Sequence, residues 1–228
     1  MISRNLMPHI ASYIDHTLLA PFSTGADIAN LCREALQYGF AAVCVPPYYV
    51  REAKQRCGES HVKTATVIGF PFGYSAIAAK AAEMTKAIAA GADELDMVVN
   101  LAALRNGDWS FLETEISAIL PMVRENGRII KLIIESGMLT EAEIIRCCDL
   151  YSRYPVHFLK TSTGYAEKGA TVEAVRIMRK HLPPEIRIKA SGGIRTFVQA
   201  RAMLAAGAAR LGCSAGVRIV KEEEENKR

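Results

Sequence analysis

Apolar residues in this chain gather into short continuous runs, and longer stretches with helical spacing separate them. The runs fall at 13–15, 41–45, 63–68, 94–99, 129–134, 157–160, 187–190 and 209–212. Helical patterns occupy 27–38, 76–90, 110–125, 141–152, 172–181 and 197–206. Strands that are apolar on successive positions, rather than on alternate ones, are parallel strands covered on both faces. Three segments repeat one theme: "QYGFAAVCV", "AAGADELDM" and "AAGAARLGC" each place a glycine between a helix and the next strand. Gly39, Gly91 and Gly207 suit the left-handed position that closes a helix. Eight αβ units in one chain predict an α/β fold, a single-domain (β/α)8 TIM barrel over residues 1–220. Residues 221–228, "KEEEENKR", form a charge run expected to be a solvated, fraying C-terminal tail. The alternative, a doubly wound open sheet, carries a glycine-rich phosphate turn after its first strand. Here the first strand runs into "DHTLLAPFS".

Composition narrows the function. The chain has 228 residues, half of them hydrophobic, which supports one sizeable core. A net charge of +4 is mild, and the basic residues are spread along the chain, against a nucleic-acid binder. No apolar run reaches the roughly 20 residues of a membrane-spanning helix, and the N-terminus lacks a secretory pattern. Six cysteines without CxxC spacing read as reduced thiols of a cytoplasmic protein. No two histidines sit at ligand spacing, so no metal site is expected.

The chemistry of such a barrel lies at the C-terminal ends of its strands. There the sequence places two lysines on neighbouring strands, Lys160 before "TSTG" and Lys189 before "ASGG". Adjacent strands lie about 4.8 Å apart. Two ammonium groups that close, inside a dry interior, favour loss of one proton, and a neutral amine attacks carbonyl carbon. Lys160 is therefore a candidate Schiff-base lysine and Lys189 its activator, although lysines also end strands simply because strand ends meet water. Asp96, inside "ELDMVV", is either a proton carrier or a structural ion-pair partner for these lysines. Gly192, Gly193 and Ser214, in "SGGIRT" and "GCSAG", occupy the usual phosphate loops. Gly164, Lys168 and Gly169, after strand 6, extend that candidate site. Asp15 and Thr17 either order their loop or reach substrate hydroxyls. Glu135 is a candidate for ordering the lysines. Cys44 lies on strand 2, where an inert buried thiol is the ordinary outcome, and His16 lacks partners for a metal.

Taken together, "YIDHTLL", "GFPFG", "GADELDMVVN", "IIESGMLT", "FLKTSTG", "KASGGIRT" and "RLGCSAG" resemble the deoxyribose-phosphate aldolase family, in order along nearly the whole chain. The resemblance implies a (β/α)8 barrel and a class I aldolase without metal or other cofactor. It implies reversible cleavage of 2-deoxy-D-ribose 5-phosphate to acetaldehyde and D-glyceraldehyde 3-phosphate. It assigns Lys160 the Schiff base, Lys189 and Asp96 the proton relay, and a substrate-binding set of Asp15, Thr17, Cys44, Thr161, Gly164, Lys168, Gly169, Gly192, Gly193 and Ser214. The implied partner is a small phosphorylated aldehyde or sugar, with homo-oligomers common among such barrels. Cys213 and Ala215 stand where members often carry threonine and serine, Lys168 stands where small residues are common, and the tail lacks the tyrosine that ends some members. A different Schiff-base aldolase, or a phosphate-binding barrel without catalysis, would share the glycine loops; only the aldolases need Lys160, Lys189 and Asp96 together.

Overall fold

The computed structural model describes residues 9–226 and shows a closed barrel of eight parallel strands, each paired with the next and the eighth with the first. The strands are β1 (Ile14–Thr17), β2 (Ala42–Val45), β3 (Lys63–Ile68), β4 (Glu94–Val98), β5 (Ile129–Ile133), β6 (Phe158–Lys160), β7 (Arg187–Ser191) and β8 (Arg210–Cys213). Around them run α1 (Gly25–Tyr38), α2 (Val50–Cys57), α3 (Ile77–Ala89), α4 (Leu101–Arg105), α5 (Trp109–Glu125), α6 (Glu141–Tyr151), α7 (Val172–His181), α8 (Phe197–Ala205) and α9 (Gly216–Glu225). The eight strands fall within two residues of the predicted runs. Their near-continuous burial is the reason they could be read: helices cover one face and the barrel interior the other.

Local chemistry fixes where the helices start and stop. Thr24 with Asp27, Thr140 with Glu143, and Thr196 with Gln199 each form a reciprocal capping box. Gly39, Gly91 and Gly207 all take positive φ, as their positions predicted. The short helices α2 and α4 have no counterpart among the predicted helical patterns.

The C-terminal charge run is the end of a helix as far as Glu225, but one face of it is packed rather than solvated. Glu223 is buried, accepts a hydrogen bond from the Ile10 amide at 3.2 Å and pairs with His9. Glu222 accepts from the Phe197 amide at 2.7 Å and pairs with Arg218. One face of the run therefore holds the first and eighth units together, which moves the end of the packed domain from 220 to at least 225. Residues 227 and 228 of the predicted tail lie outside the described residues. Among the described residues no helix is long and apolar enough to cross a membrane.

Two layers fill the structure. Leucine, isoleucine, valine and methionine side chains form the core between barrel and helices. Inside the barrel, β2 and β3 supply a small apolar wall of Ala42, Cys44, Ala65 and Val67. Side chains alternate along a strand, and on the remaining strands the inner face carries buried charged groups among a few apolar ones: Asp15, Glu94, Asp96, Lys131, Lys160 and Lys189.

Candidate active site

Strand register brings the charged groups together. Lys160 is the neighbour of Lys189 across β6 and β7, Asp96 is opposite Lys131 across β4 and β5, and Lys189 is opposite Arg210 across β7 and β8. All of these point inward, and the three lysines meet at Asp96. Its Oδ2 accepts from Lys160 Nζ at 2.8 Å and from Lys189 Nζ at 2.7 Å, and its Oδ1 accepts from Lys131 Nζ at 2.6 Å. Lys131 also contacts Glu94 at 2.6 Å. Asp15 pairs with Lys189 and accepts from Arg210 Nε at 2.6 Å.

The electrostatics follow from burial and partners. Lys160 is 2% exposed, and its pKa falls below the ordinary lysine value, first because burial penalises the ammonium and then because Lys189 repels it; Asp96 opposes both. For Lys189 burial acts the same way, but Asp15 and Asp96 outweigh it, and its pKa rises. Lys131 is raised for the same reason, by Asp96 and Glu94. Burial would push the Asp96 carboxyl up, yet Lys131, Lys160 and Lys189 together hold it well below the usual carboxylate range. The site thus keeps Asp96 ionised and Lys189 cationic, and it makes the proton of Lys160 easier to lose than that of an ordinary lysine.

Lys160 alone among these lysines opens to a cavity of about 360 Å3 at the C-terminal mouth, walled by residues 17–20, 163–165, 191–195 and 212–214. The structure brings Thr17, Lys160, Gly164, Gly192, Gly193 and Ser214 to this cavity. It places the other sequence candidates elsewhere. Asp15 does not reach the cavity: it is fully buried in the ion cluster below, because its inward register sets it between Lys189 and Arg210. Thr161 bridges β6 and β7, donating to Ser191 O at 3.2 Å and accepting from Ser191 N at 3.0 Å. Cys44 is buried in the apolar wall, and burial pushes its thiol pKa up. Lys168 is exposed and does not line the cavity. Gly169 supports the wall from behind: a Cβ there would sit 2.3 Å from Gly192 O, so only glycine allows the two backbones to meet. His16 faces the other way, with Nε2 2.8 Å from Glu34.

Glu135, the sole non-glycine residue with positive φ among the described residues, sits at the end of β5. It accepts hydrogen bonds from the Thr163 amide and hydroxyl, which ties the β5 end to the cavity loop, and burial raises its pKa. The sequence reading missed Lys131, Glu94 and Arg210. A lysine inside "IIKLI" carries the same signal as Asp96 inside "ELDMVV", a charge in an otherwise apolar strand. Tyr165 was also missed. Its hydroxyl donates to Leu19 O at 2.9 Å and its ring meets Phe70 edge-on at 5.3 Å, closing one side of the mouth. Among the described residues, no group of three or more His, Cys, Asp or Glu is arranged to hold a metal ion.

A closed parallel barrel with one accessible, pKa-lowered lysine at its C-terminal mouth and glycine loops beside it defines a barrel enzyme with a lysine-centred site. The family model for DeoC/LacD family aldolase matches residues 9–222. The chain is 51% identical over 214 residues to the deoxyribose-phosphate aldolase of Thermococcus gammatolerans, covering 93% of this chain and 95% of that protein. It is 48% identical over 212 residues to that of an Exiguobacterium species, covering 92% and 95%. A solved deoxyribose phosphate aldolase from Aeropyrum pernix, described as a unique tetramer, superposes with TM-score 0.89 at 32% identity, over 95% of this chain and 92% of that one. The chain belongs to the DeoC/LacD family of aldolases, and is a lyase.

Proposed function

We propose that this aldolase acts on 2-deoxy-D-ribose 5-phosphate, cleaving it reversibly to acetaldehyde and D-glyceraldehyde 3-phosphate through an imine on Lys160. The observation that carries the mechanism is the pair of lysines on one Asp96 oxygen, with only Lys160 opening to the cavity. The substrate follows from the relatives, whose names specify deoxyribose-phosphate aldolase.

Lys160 Nζ bonds to the C1 aldehyde carbon of the open-chain sugar. Water leaves, and an iminium remains. The C2–C3 bond then breaks, its electron pair entering the nitrogen system as an enamine. The C3 hydroxyl gives up its proton through a water molecule to the Asp96 carboxylate, which the Lys189 ammonium holds in place, and C3 becomes the aldehyde of glyceraldehyde 3-phosphate. The same relay returns a proton to C2, and hydrolysis releases acetaldehyde and the free amine.

The phosphate belongs at the opposite wall. Gly192 and Gly193 take consecutive positive φ and line the cavity, where main-chain amides without side chains can approach an anion. Helix α9 begins directly after Ser214 and Ala215 with no side-chain cap, which leaves its first N–H groups for an anion. Binding at this remote group contributes orientation at the reacting carbon. The reaction needs no metal or other cofactor under this scheme. It suits a cytoplasmic enzyme of deoxyribose phosphate breakdown, and the tetrameric A. pernix neighbour supports a homo-oligomer.

The test is intact-mass spectrometry after treatment with acetaldehyde and borohydride. One ethyl group should appear on Lys160 and on no other lysine. An unmodified Lys160, or an adduct elsewhere, overturns the assignment.

A further inference from the structure

The buried charges inside the barrel do not balance. Among the described residues, three carboxylates, Asp15, Glu94 and Asp96, form one connected set of ion pairs with four cations, Lys131, Lys160, Lys189 and Arg210. Full ionisation would leave one uncompensated positive charge, and an uncompensated charge in a dry interior is expensive enough that a proton leaves instead. The contacts select which group loses it. Lys131 lies within 3.8 Å of all three carboxylates. Lys189 and Arg210 each pair with two. Lys160 has one carboxylate partner, Asp96, which it shares.

We propose that the charge count of this cluster sets the pH at which Lys160 becomes a free amine, and that Arg210 and Glu94 are positioning residues that act on Lys160 through it. Neither lines the cavity. Glu94 bridges Lys131 at 2.6 Å and Arg210 at 3.1 Å, and Arg210 holds Asp15. Each is thus one partner removed from the lysine and aspartate that touch Lys160. The inference rests on the Schiff-base reading above.

The other groups around the cluster do not change the count. From β2, Cys44 is an uncharged thiol, its pKa raised by burial. β3 contributes Ala65 and Val67. Glu135, beyond β5, has its pKa raised by burial against the opposing pull of Thr163 and Lys160; it spends its oxygens on Thr163 and joins none of the ion pairs of the cluster. His157, before β6, accepts from the Ile130 amide, and burial lowers its pKa. Arg187 on β7 is exposed at the opposite rim, its guanidinium over the Phe158 ring; burial and then Arg210 lower its pKa and Glu94 opposes them, but it makes none of the ion pairs of the cluster.

The experiment is the pH dependence of borohydride trapping of acetaldehyde on Lys160, read by mass. Arg210→Met leaves three cations against three carboxylates; the midpoint should move up by about one unit, with about tenfold less trapping at neutral pH. Glu94→Gln leaves four against two, and the midpoint should move down. The double variant loses both contacts yet restores the surplus of one, and its midpoint should return to that of the parent. Arg210→Lys keeps the charge and should stay with the parent. Single-variant midpoints that move the same way or not at all, or a double variant that does not revert, overturn the inference. Should a single variant fail to fold, the double variant and Arg210→Lys decide it: a displacement of about one unit in either overturns it. A parent protein that traps no acetaldehyde on Lys160 instead overturns the Schiff-base reading.

Discussion

Lys160 and Lys189 donate to the same oxygen, Oδ2 of Asp96, at 2.8 and 2.7 Å. Both amines are thereby held close enough to repel, but they are not equivalent. Asp15 gives Lys189 a second carboxylate and keeps it cationic, while Lys160 faces the cavity with no second partner. Crowding by a neighbouring cation is therefore half of the device. The other half is a set of carboxylates that holds that cation in place.

Replacing Lys189 with leucine separates these roles. It removes a positive charge and leaves Asp96 to pair more strongly with Lys160. The pH at which Lys160 reacts should rise toward the ordinary lysine value, measurable as an alkaline shift of the trapping profile. Asp15 loses one of its buried partners and keeps Arg210, so stability should fall in urea unfolding by less than the loss of a sole partner would cost. An unchanged profile would remove Lys189 from the activation of Lys160.

Lys160→Met tests the nucleophile without emptying the site. Methionine keeps most of the lysine stem and takes away the surplus cation. Trapping should vanish and turnover should drop by at least about a thousandfold. Urea stability at neutral pH should hold or rise, because no buried charge loses its partner except Asp96, which retains two. Retained turnover would assign the chemistry to another group.

The barrel was legible because parallel strands buried on both faces leave near-continuous apolar runs, and because glycines such as Gly39 close helices in a left-handed turn that other residues avoid. Lys160, Lys189 and Asp96 were legible as charges interrupting those runs. Lys131 interrupts "IIKLI" in the same manner, but it lies in mid-strand, where the rule of strand C-terminal ends gives it no weight. What touches what was not legible. Asp15 read as the end of a short first strand, placed either to order the loop beyond it or to reach substrate. It is the stagger of the closed barrel that sets it opposite Gly212, whose missing side chain leaves room for the Lys189 stem. The helix over 216–225 was hidden by its charge run, since burial of Glu223 depends on the Ile10 amide and His9 at the other end of the chain.

The phosphate wall has its own test. Ser214 lies at the cavity edge, on the turn into the uncapped start of α9. A hydroxyl bonded to a charged group contributes about 1.5–3 kcal/mol. Ser214→Ala should raise the KM for the phosphorylated sugar by about ten- to hundredfold while leaving acetaldehyde trapping on Lys160 intact. Loss of trapping in this variant would mean the turn supports the lysine rather than the substrate.

Acid should unfold the barrel from its interior. The Asp96 and Asp15 carboxyls would be raised by burial, yet their cationic partners hold both below the usual aspartate value of 3.8. A carboxyl whose folded pKa is depressed contributes stability above its unfolded value and loses it as pH falls through the folded one, since the unfolded chain takes up the proton first. Urea midpoints should therefore be flat from neutral pH to about pH 5 and fall steeply below about pH 4. Asp15→Asn should begin lower at neutral pH, because Lys189 and Arg210 lose a shared partner, and should then fall less steeply in acid. A variant that is destabilised at neutral pH but keeps the full acid slope would show that the depressed Asp15 carboxyl is not a source of the acid sensitivity.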